Sequence, residues 1–303
     1  MNKVYAGIDG GGTKTAISIL DSSGKTVYRK TAGPSSLING TEFETSTVNL
    51  LIDAFAAISD VYPAGFAIDV LAGYAGTNTE DHTLRFVNAF KQASSGFDIR
   101  QGSIKVVSDA HLALDIYFPE GPGLLLISGT GSICYGKNKK GDVFHSGGFG
   151  YLIDDAGSGF WFGKQAVRAS LMAWQGTGEK TVLEELVRSY YKIGRTEELI
   201  SAVYCPDHRN VIASASKLVF DAAEKGCAVS MGIIEKGAVA LSELALQCDR
   251  LTGNSSSCVV LHGSVFSQEL LADCVKKRMD RFKNVRLSDR EIDLEAAKIL
   301  LYS

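Results

Sequence analysis

VYAGIDGGGTKTAISIL, residues 4–20, joins two apolar segments of strand-like composition through three consecutive glycines. Asp9 ends the first segment, and residues 15–20 form the second. Glycine accepts positive φ angles and lets backbone amides approach an anion closely. The stretch therefore predicts a β-hairpin whose tip binds phosphate through Gly10, Gly11, Gly12, Thr13 and Lys14.

Two other phosphate-binding loops are excluded by the residues that come after the glycines. A P-loop needs Lys directly after its last Gly and then a helix, whereas here Thr13 separates Gly12 from Lys14 and a strand comes next. A dinucleotide-binding loop also needs a helix at this point. A plain hairpin turn remains the alternative, although it does not require the conformational entropy cost of three glycines.

The same pattern recurs in the middle of the chain. An apolar strand at residues 124–127 is followed by Gly129–Thr130–Gly131–Ser132, a second strand, a glycine turn and a third strand. Such recurrence predicts two related halves whose hairpin tips face each other and clamp a nucleotide. The predicted domains are residues 1–118 and 119–303, with the last helix, about 291–301, as a candidate to pack back on the first domain.

The region after residue 159 has mainly helical periodicity, which includes a predicted helix at about 208–225, and it is interrupted by one predicted strand at 258–261. The turn after that strand, His262–Gly263–Ser264–Val265–Phe266, contains a glycine that would let an adenosine lie close to the backbone. An ordinary tight turn is the alternative. Gly263 and Ser264 are therefore candidate nucleotide-binding residues.

Three aspartates are candidates for the chemistry. Asp9 lies beside the first glycine loop, where a carboxylate holds Mg²⁺ directly or through water, unless it only bonds its own loop amides. Asp109 ends a strand and opens a helix, so it is either a general base or a helix N-cap. Asp155 lies in the glycine-rich, aromatic segment 147–163, which suits a sugar because hydroxyl groups need acceptors and ring carbons need an apolar wall.

Composition narrows the class of partner and the compartment. The chain has 303 residues, a net charge of −3 and no run of 18 apolar residues, which predicts no nucleic-acid partner and no membrane span. Its six cysteines form no CxxC pair, so neither a zinc site nor a disulfide framework is expected. These features predict a cytoplasmic protein.

Taken in order, six stretches of the chain resemble the N-acetylglucosamine kinase-like family of the actin-like ATPase superfamily. The resemblance covers nearly the whole chain. The stretches are GIDGGGTKT (7–15), GYAGTNTED (73–81), VVSDAH (106–111), LISGTGS (126–132), GGFGYLIDDAGSGFWFG (147–163) and LHGSVF (261–266).

The resemblance implies an α/β fold with two actin-like (ribonuclease H-like) domains, each with a mixed five-stranded sheet, around a central cleft. It implies phosphorylation of a sugar hydroxyl by ATP with Mg²⁺, with Asp109 as the base. The two hairpins, including Thr130 and Gly131, would bind the ATP phosphates, and the segment at Gly263 and Ser264 would bind adenosine. Relatives often form dimers, so a homodimer is a candidate assembly. The implied sugar-binding residues are Asn39, Gly76, Asp109, Thr130, Gly147, Gly148 and Asp155.

Departures from the family pattern fall mainly on the sugar pocket. Ser36 stands where many members have Asn, with Asn39 as a candidate substitute, and Asp154 replaces a Gly. The departures therefore bear on the identity of the sugar and leave the phosphate loops unchanged: N-acetylglucosamine is expected first, with N-acetylmuramate, glucosamine and glucose as alternatives. A reductase-activating ATPase and a non-catalytic sugar sensor are alternatives of another class. The first would need a cluster-binding Cys near position 109, which is acidic here.

Overall fold

The computed structural model describes residues 1–12, 14–35, 41–76 and 80–303, and these form two compact units. The first unit comprises Met1–Pro119 and Asp289–Ser303, and the second comprises Glu120–Ser288. The predicted boundaries placed residues 289–303 by number in the second domain, whereas they belong to the first unit. No helix in the described ranges is long and apolar enough to cross a membrane.

The first unit contains a five-stranded mixed sheet in the order β3-β2-β1-β4-β5. The three N-terminal strands form an antiparallel meander, and β4 and β5 continue the sheet from β1 in parallel. Apolar residues at helical spacing bury one side of α1 against this sheet. The elements are β1 (Asn2–Gly10), β2 (Thr15–Asp21), β3 (Thr26–Ala32), α1 (Thr41–Val61), β4 (Phe66–Tyr74), α2 (Glu80–Ser94), β5 (Ile99–Ser108) and α3 (Asp109–Tyr117).

The second unit repeats this connectivity in a sheet ordered β10-β9-β6-β7-β8. Its first three strands are again an antiparallel meander, and β9 and β10 again extend the sheet in parallel. The strands are β6 (Gly123–Ser128), β7 (Ser132–Lys137), β8 (Val143–Gly147), β9 (Cys258–His262) and β10 (Asn284–Leu287). The predicted pair of mixed five-stranded sheets is confirmed, and each has the same topology.

The described helices of the second unit lie between β8 and β10. They are α4 (Gly159–Trp174), α5 (Leu183–Tyr191), α6 (Glu198–Val203), α7 (His208–Ser214), α8 (Lys217–Glu224), α9 (Ala228–Leu251) and α10 (Glu269–Lys277), with a 3-10 turn at Ser264–Ser267 before α10. A turn at Ala215 and Ser216 divides the helix predicted for 208–225. The prediction of one strand after residue 159 was wrong, because the short edge strand β10 pairs with β9.

The last helix, α11 (Ile292–Tyr302), packs directly against β1. A Cβ atom added at Gly7 would lie 1.9 Å from the carbonyl oxygen of Asp293 and 2.5 Å from the amide nitrogen of Ala297. Only a glycine in β1 therefore permits this close approach of the helix backbone. The C-terminal helix thus packs next to the strand that leads into the first glycine loop.

Candidate functional site

The first glycine loop is the tip of the β1–β2 hairpin, as predicted. Gly10 pairs with Thr15 at the end of the ladder, and the amide of Gly11 donates to the carbonyl of Lys14 at 2.9 Å. A Cβ atom at Gly10 would lie 2.1 Å from the ring of Tyr74, whereas a Cβ atom at Gly12 would meet nothing within 4 Å. Gly10 is therefore required by packing, and Gly12 borders open space that a ligand can occupy.

Backbone hydrogen bonds fix the position of this tip. The carbonyl of Gly10 accepts from Ala75 at 2.8 Å, and that of Gly11 accepts from Ser35 at 3.3 Å. Lys14 is exposed at the tip. Because these two carbonyls are hydrogen-bonded within the unit, the tip can present its amides and the Lys14 side chain to an anion. Thr13, predicted to bind phosphate, lies outside the described residues, as does Asn39.

Asp9 lies in the electrostatic range of two other carboxyl groups. Burial raises its pKa to about 7, and the negative charges of Asp109 and Asp293 act in the same direction. Lys14 acts in the opposite direction. Among the described residues, the Asp9 side chain forms no hydrogen bond or ion pair. The carboxylate is therefore held in surroundings that would favour a bound cation.

Asp109 begins α3 but does not cap it. Ser108 is the N-cap, and its hydroxyl accepts from the amide of His111 at 3.1 Å. The carboxylate of Asp109 accepts from the adjacent amide of Ala110, at 2.8 Å, and from its own backbone amide. Burial raises the pKa of Asp109, and these two backbone hydrogen bonds lower it to a smaller extent. The N-cap interpretation of Asp109 was wrong, because the preceding serine already fills that position.

Close backbone packing brings Asp109 to the end of β4. A Cβ atom at Gly73 would lie 2.7 Å from Leu112 and 3.1 Å from the Cα of Asp109. Gly76 lies two residues after β4, with a φ of 83° that favours glycine. In the first unit, Asp9 and Asp109 therefore lie at the carboxyl ends of the parallel strands β1 and β5, and Lys14 lies in the adjoining hairpin tip. Ligands commonly bind at this edge of open α/β sheets.

The second glycine loop is the tip of the β6–β7 hairpin. The amide of Gly129 donates to the carbonyl of Gly131 at 2.9 Å, and the carbonyl of Gly129 accepts from Gly159 at 2.7 Å. The carbonyl of Thr130 accepts from Phe160 at 3.4 Å. The tip is thus attached to the first residues of α4, whose N-terminal end carries a partial positive charge.

Two serines that flank this tip hold it against the segment 155–158. The hydroxyl of Ser128 donates to the carbonyl of Gly157 at 2.8 Å, and that of Ser132 donates to Ala156 at 3.0 Å. The backbone amide of Ser132 also donates to the carboxylate of Asp155, at 3.1 Å. The predicted phosphate-binding loop and the predicted sugar-binding residue Asp155 therefore belong to one hydrogen-bonded structure.

Asp155 is buried and has a φ of 64°, which a residue other than glycine seldom adopts. A Cβ atom at Gly131 would lie 2.9 Å from its carboxylate, so a glycine is needed there. Burial raises the pKa of Asp155, the hydrogen bond from Ser132 and the charge of Arg209 lower it, and Asp154 raises it. Asp154 itself accepts from the amide of Phe149 at 3.2 Å.

The remaining predicted glycines are explained by packing and backbone conformation. Gly147 and Gly148 have φ angles of 76° and 84°, and a Cβ atom would lie 2.7 Å from Leu244 or 2.4 Å from Ile133, respectively. Gly263 has a φ of 105°, and a Cβ atom there would lie 2.4 Å from the carbonyl oxygen of Ser128. The turn at Gly263 therefore lies against the end of β6, and the next residue, Ser264, is exposed.

Two residues that the sequence did not single out, Asp293 and Arg209, act electrostatically on the candidate site aspartates Asp9 and Asp155, respectively. Asp293 is buried in the first unit, where its carboxylate accepts from the hydroxyl of Ser18 at 2.6 Å. In the second unit, Arg209 lies over the ring of Tyr151 and acts on Asp155. No motif marks either residue, because Asp293 comes after the last recognised stretch and Arg209 lies in a helical region of ordinary composition.

The alternative of a reductase-activating ATPase would need a cluster-binding cysteine near position 109, and that position is an aspartate. Cys134 is fully buried in β7, and burial together with Cys248 raises the pKa of its thiol well above the usual range. The described ranges contain no group of three or more His, Cys, Asp or Glu side chains able to hold a metal. A thiol in this position is unsuited to an exposed metal cluster.

Two units with the same mixed-sheet topology, each with a glycine-tipped hairpin at its central strands, define the class of actin-like α/β ATPases. The chain belongs to the BadF/BadG/BcrA/BcrD ATPase family, whose sequence model matches residues 6–288. It is 35% identical to the N-acetylmuramic acid/N-acetylglucosamine kinase of Clostridium acetobutylicum, over 78% of this chain and 76% of that protein. It is 26% identical to the N-acetyl-D-glucosamine kinase of Dictyostelium discoideum, over 99% of this chain and 97% of that protein.

Solved structures have the same fold. A candidate N-acetylglucosamine kinase from Chromobacterium violaceum superposes with a TM-score of 0.74 at 22% identity, covering 98% of both chains. A ROK family glucokinase from Streptomyces griseus superposes with a TM-score of 0.53 at 17% identity, also covering 98% of both chains. These likenesses confirm the predicted actin-like fold.

Proposed function

We propose that this protein is an ATP-dependent sugar kinase that phosphorylates a hydroxyl group of N-acetylglucosamine. The proposal is carried by the repeated glycine-tipped hairpin, which lies at the same position in two sheets of the same topology. The named activities of the curated relatives support the same reaction. N-acetylmuramate, glucosamine and glucose are the alternative substrates, and phosphorylation at C6 is expected.

Asp109 would be the general base of this reaction. Among the described residues its carboxylate accepts from backbone amides alone, those of Ala110 and of Asp109 itself, so an oxygen can still accept the proton of a sugar hydroxyl. The hydroxyl oxygen forms a bond to the γ-phosphorus of ATP as the bond between that phosphorus and the leaving oxygen of ADP breaks. Positioning and charge neutralisation dominate such a transfer, so a correctly aimed carboxylate is sufficient.

The ATP-binding residues would be divided among three loops. Gly10, Gly11, Gly12, Thr13 and Lys14 would bind phosphate at one hairpin tip, and Thr130 and Gly131 at the other. Gly263 and Ser264 would border the adenosine, because a glycine turn allows close approach to the backbone. Sugar hydroxyl groups would be bound by residues that include Asp155, and the implied set is Asn39, Gly76, Asp109, Thr130, Gly147, Gly148 and Asp155.

Asp9 would hold Mg²⁺, directly or through water. Its carboxylate has no hydrogen-bond or ion-pair partner among the described residues. Burial, and after it the charges of neighbouring carboxyl groups, raise its pKa, and a bound cation would relieve both effects. The described ranges contain no complete protein cage for a metal. Mg²⁺ commonly takes one or two carboxylates together with water and substrate phosphates, so one carboxylate of the protein can suffice. When bound, it would neutralise phosphate charge.

A sugar panel assayed for ADP release tests the function. N-acetylglucosamine, N-acetylmuramate, glucosamine and glucose are each supplied with ATP and Mg²⁺, and the position of the new phosphate is identified by NMR. We expect sugar-dependent ADP release, greatest for an N-acetylated amino sugar. ADP release that no sugar stimulates would contradict the proposal and would favour the ATPase alternative.

A further inference from the structure

Arg209 is a partly buried arginine whose guanidinium lacks hydrogen-bond partners within the described ranges. Its Nε atom is buried and has no hydrogen-bond partner among the described residues. In the same ranges of the chain its guanidinium forms no ion pair. The guanidinium lies over the ring of Tyr151, with its Cζ atom 5.6 Å from the ring centroid. Its positive charge lowers the pKa of Asp155. The two Nη groups likewise have no hydrogen-bond partner in the described ranges, and they are not buried, so they can reach a ligand. Because an unsatisfied buried donor such as Nε costs free energy, an anion on this guanidinium would offset part of that cost.

Two other arginines that lie over aromatic rings in this chain are paired with a carboxylate. Arg188 lies 4.3 Å from the ring centroid of Trp174 and forms an ion pair of 3.6 Å with Glu184. Arg85 lies over Phe43 and forms an ion pair with Glu44. Stacking on a ring therefore does not by itself explain an arginine without an acceptor. Arg290 also lies over a ring, that of Tyr117, without a carboxylate partner, but its guanidinium donates to the carbonyl of Ile116 at 2.7 Å. Within the described part of the chain, Arg209 has the stacking partner and lacks both an ion pair and a hydrogen bond.

The surroundings of Arg209 are rigidly held. The ring of Tyr151 packs against Phe160 with centroids 4.6 Å apart, and its hydroxyl lies 2.8 Å from Nε2 of His208. The Nδ1 of His208 lies 3.2 Å from the carbonyl oxygen of Cys205. A carbonyl only accepts, so in the neutral imidazole Nδ1 carries the proton and Nε2 accepts from the tyrosine hydroxyl. The Tyr151 hydroxyl is therefore already engaged.

Arg209 is thus held over the loop that leads to Asp155. Tyr151 precedes Asp155 by four residues in that loop, and Asp155 in turn contacts the β6–β7 hairpin through Ser132. The positive charge of Arg209 lowers the pKa of Asp155, which places the two side chains within electrostatic range. A sugar that reaches Asp155 would therefore present one of its substituents to the guanidinium.

We propose that Arg209 binds a carboxylate carried by the sugar, so that the substrate class includes acidic N-acetylated amino sugars such as N-acetylmuramate. This inference rests on the proposed function. A guanidinium offers two parallel donors that match both oxygens of a carboxylate, and such charge-assisted pairs are strong. N-acetylmuramate differs from N-acetylglucosamine by a lactyl ether that ends in a carboxylate. The two sugars therefore form a matched pair with which to test this residue.

The experiment compares kcat/KM for the two sugars in the wild-type protein and in Arg209→Gln, Arg209→Lys and Arg188→Gln. We expect Arg209→Gln to lower kcat/KM for N-acetylmuramate by roughly 10- to 100-fold more than for N-acetylglucosamine, the range of a charged hydrogen bond. Arg209→Lys should cause an intermediate loss of kcat/KM for N-acetylmuramate, because lysine keeps the positive charge but lacks the planar pair of donors. Arg188→Gln, which removes a stacked but paired arginine, should leave the ratio of the two values unchanged.

Several outcomes would overturn this assignment. An equal loss for both sugars with a raised KM for ATP would mean that Arg209 binds a phosphate of ATP instead. An equal loss with an unchanged KM for ATP would mean that it only supports the loop. A wild-type protein that phosphorylates N-acetylglucosamine, but neither phosphorylates nor binds N-acetylmuramate in titration calorimetry, would overturn this inference alone. If none of the sugars stimulates ADP release, the proposed function is overturned as well.

Discussion

The hydroxyl of Ser108 accepts a hydrogen bond of 3.1 Å from the backbone amide of His111, so it caps α3. Asp109, the next residue, is thereby released from the role that an aspartate at a helix start commonly fills. Within the described residues its carboxylate is bound by backbone amides alone, those of Ala110 and of Asp109 itself. Ser108 therefore caps the helix, and Asp109 is left for the role of general base that we propose.

Replacing Asp109 with Asn should remove turnover and retain the fold. Asn can still accept from the amide of Ala110, but it cannot take up a proton from the sugar. We expect kcat to fall by about 10²- to 10⁴-fold, the usual contribution of a general base, with little change in ATP affinity. Turnover is measured by ADP release, and ATP affinity by calorimetry.

Ser108→Ala is the matched control for this variant. It removes the helix cap and should lower the free energy of unfolding by about 1 kcal/mol while kcat stays within a few-fold of wild type. Denaturant titration measures the first quantity. An Asp109→Asn protein with unchanged kcat would exclude Asp109 as the base.

Activity should depend on pH through the raised pKa of Asp109. A base must be ionised, so kcat/KM should fall as the pH falls through the pKa of this group, above the pH expected for an ordinary aspartate. A pH profile of kcat/KM in the wild-type protein measures this position. A profile that stays flat down to the range of an exposed carboxyl would contradict it.

The raised pKa of Asp109 also predicts a pH dependence of protein stability, and its direction is opposite to that of the activity. Because the folded-state pKa is raised above the unfolded value, the contribution of Asp109 to stability is present at low pH and is lost as the pH rises through its folded pKa. Asp109→Asn should therefore raise the Tm of the metal-free protein more at pH 8 than at pH 5. A Tm difference that is the same at both pH values would show that burial does not act on this group.

Substitutions of Asp155 should separate backbone strain from sugar binding. Asn tolerates a φ of 64° and can still accept from Ser132, so Asp155→Asn should remain as stable as wild type while its KM for the sugar rises. Asp155→Ala loses the acceptor and retains the unfavourable φ, which should cost about 1–3 kcal/mol of unfolding free energy. Equal stability of the two variants, measured by denaturant titration, would argue against this account of the loop.

Two glycines of the first hairpin should respond differently to alanine. A Cβ atom at Gly10 would meet the Tyr74 ring at 2.1 Å, so Gly10→Ala should lower the free energy of unfolding by about 1–3 kcal/mol. A Cβ atom at Gly12 meets no protein atom within 4 Å, so Gly12→Ala should fold normally and raise the KM for ATP. Thermal unfolding and ATP titration distinguish the two. Normal ATP binding by Gly12→Ala would mean that the phosphate does not approach this tip.

The helical region was predicted less accurately than the hairpins. The strand–glycine–strand patterns at residues 4–20 and 124–135 depend on local backbone preferences, and both hairpins occur as predicted. The edge strand Asn284–Leu287 was missed because four residues of mixed polarity carry little strand signal, and its pairing with β9 is what defines it. The turn at Ala215 and Ser216 was also missed, since neither residue is a helix breaker.

The sequence by itself determined the two glycine-tipped hairpins, their repetition and the ATPase family, because glycine spacing and alternating apolar residues act over a few neighbouring positions. Tertiary structure decided the surroundings of the aspartates. Asp293 is 275 residues from Ser18 in sequence, yet it accepts a hydrogen bond from that side chain, and Arg209 meets the loop of Asp155 only through folding. Burial, hydrogen bonding and charge depend on which distant segments pack together, and no local pattern encodes those distances.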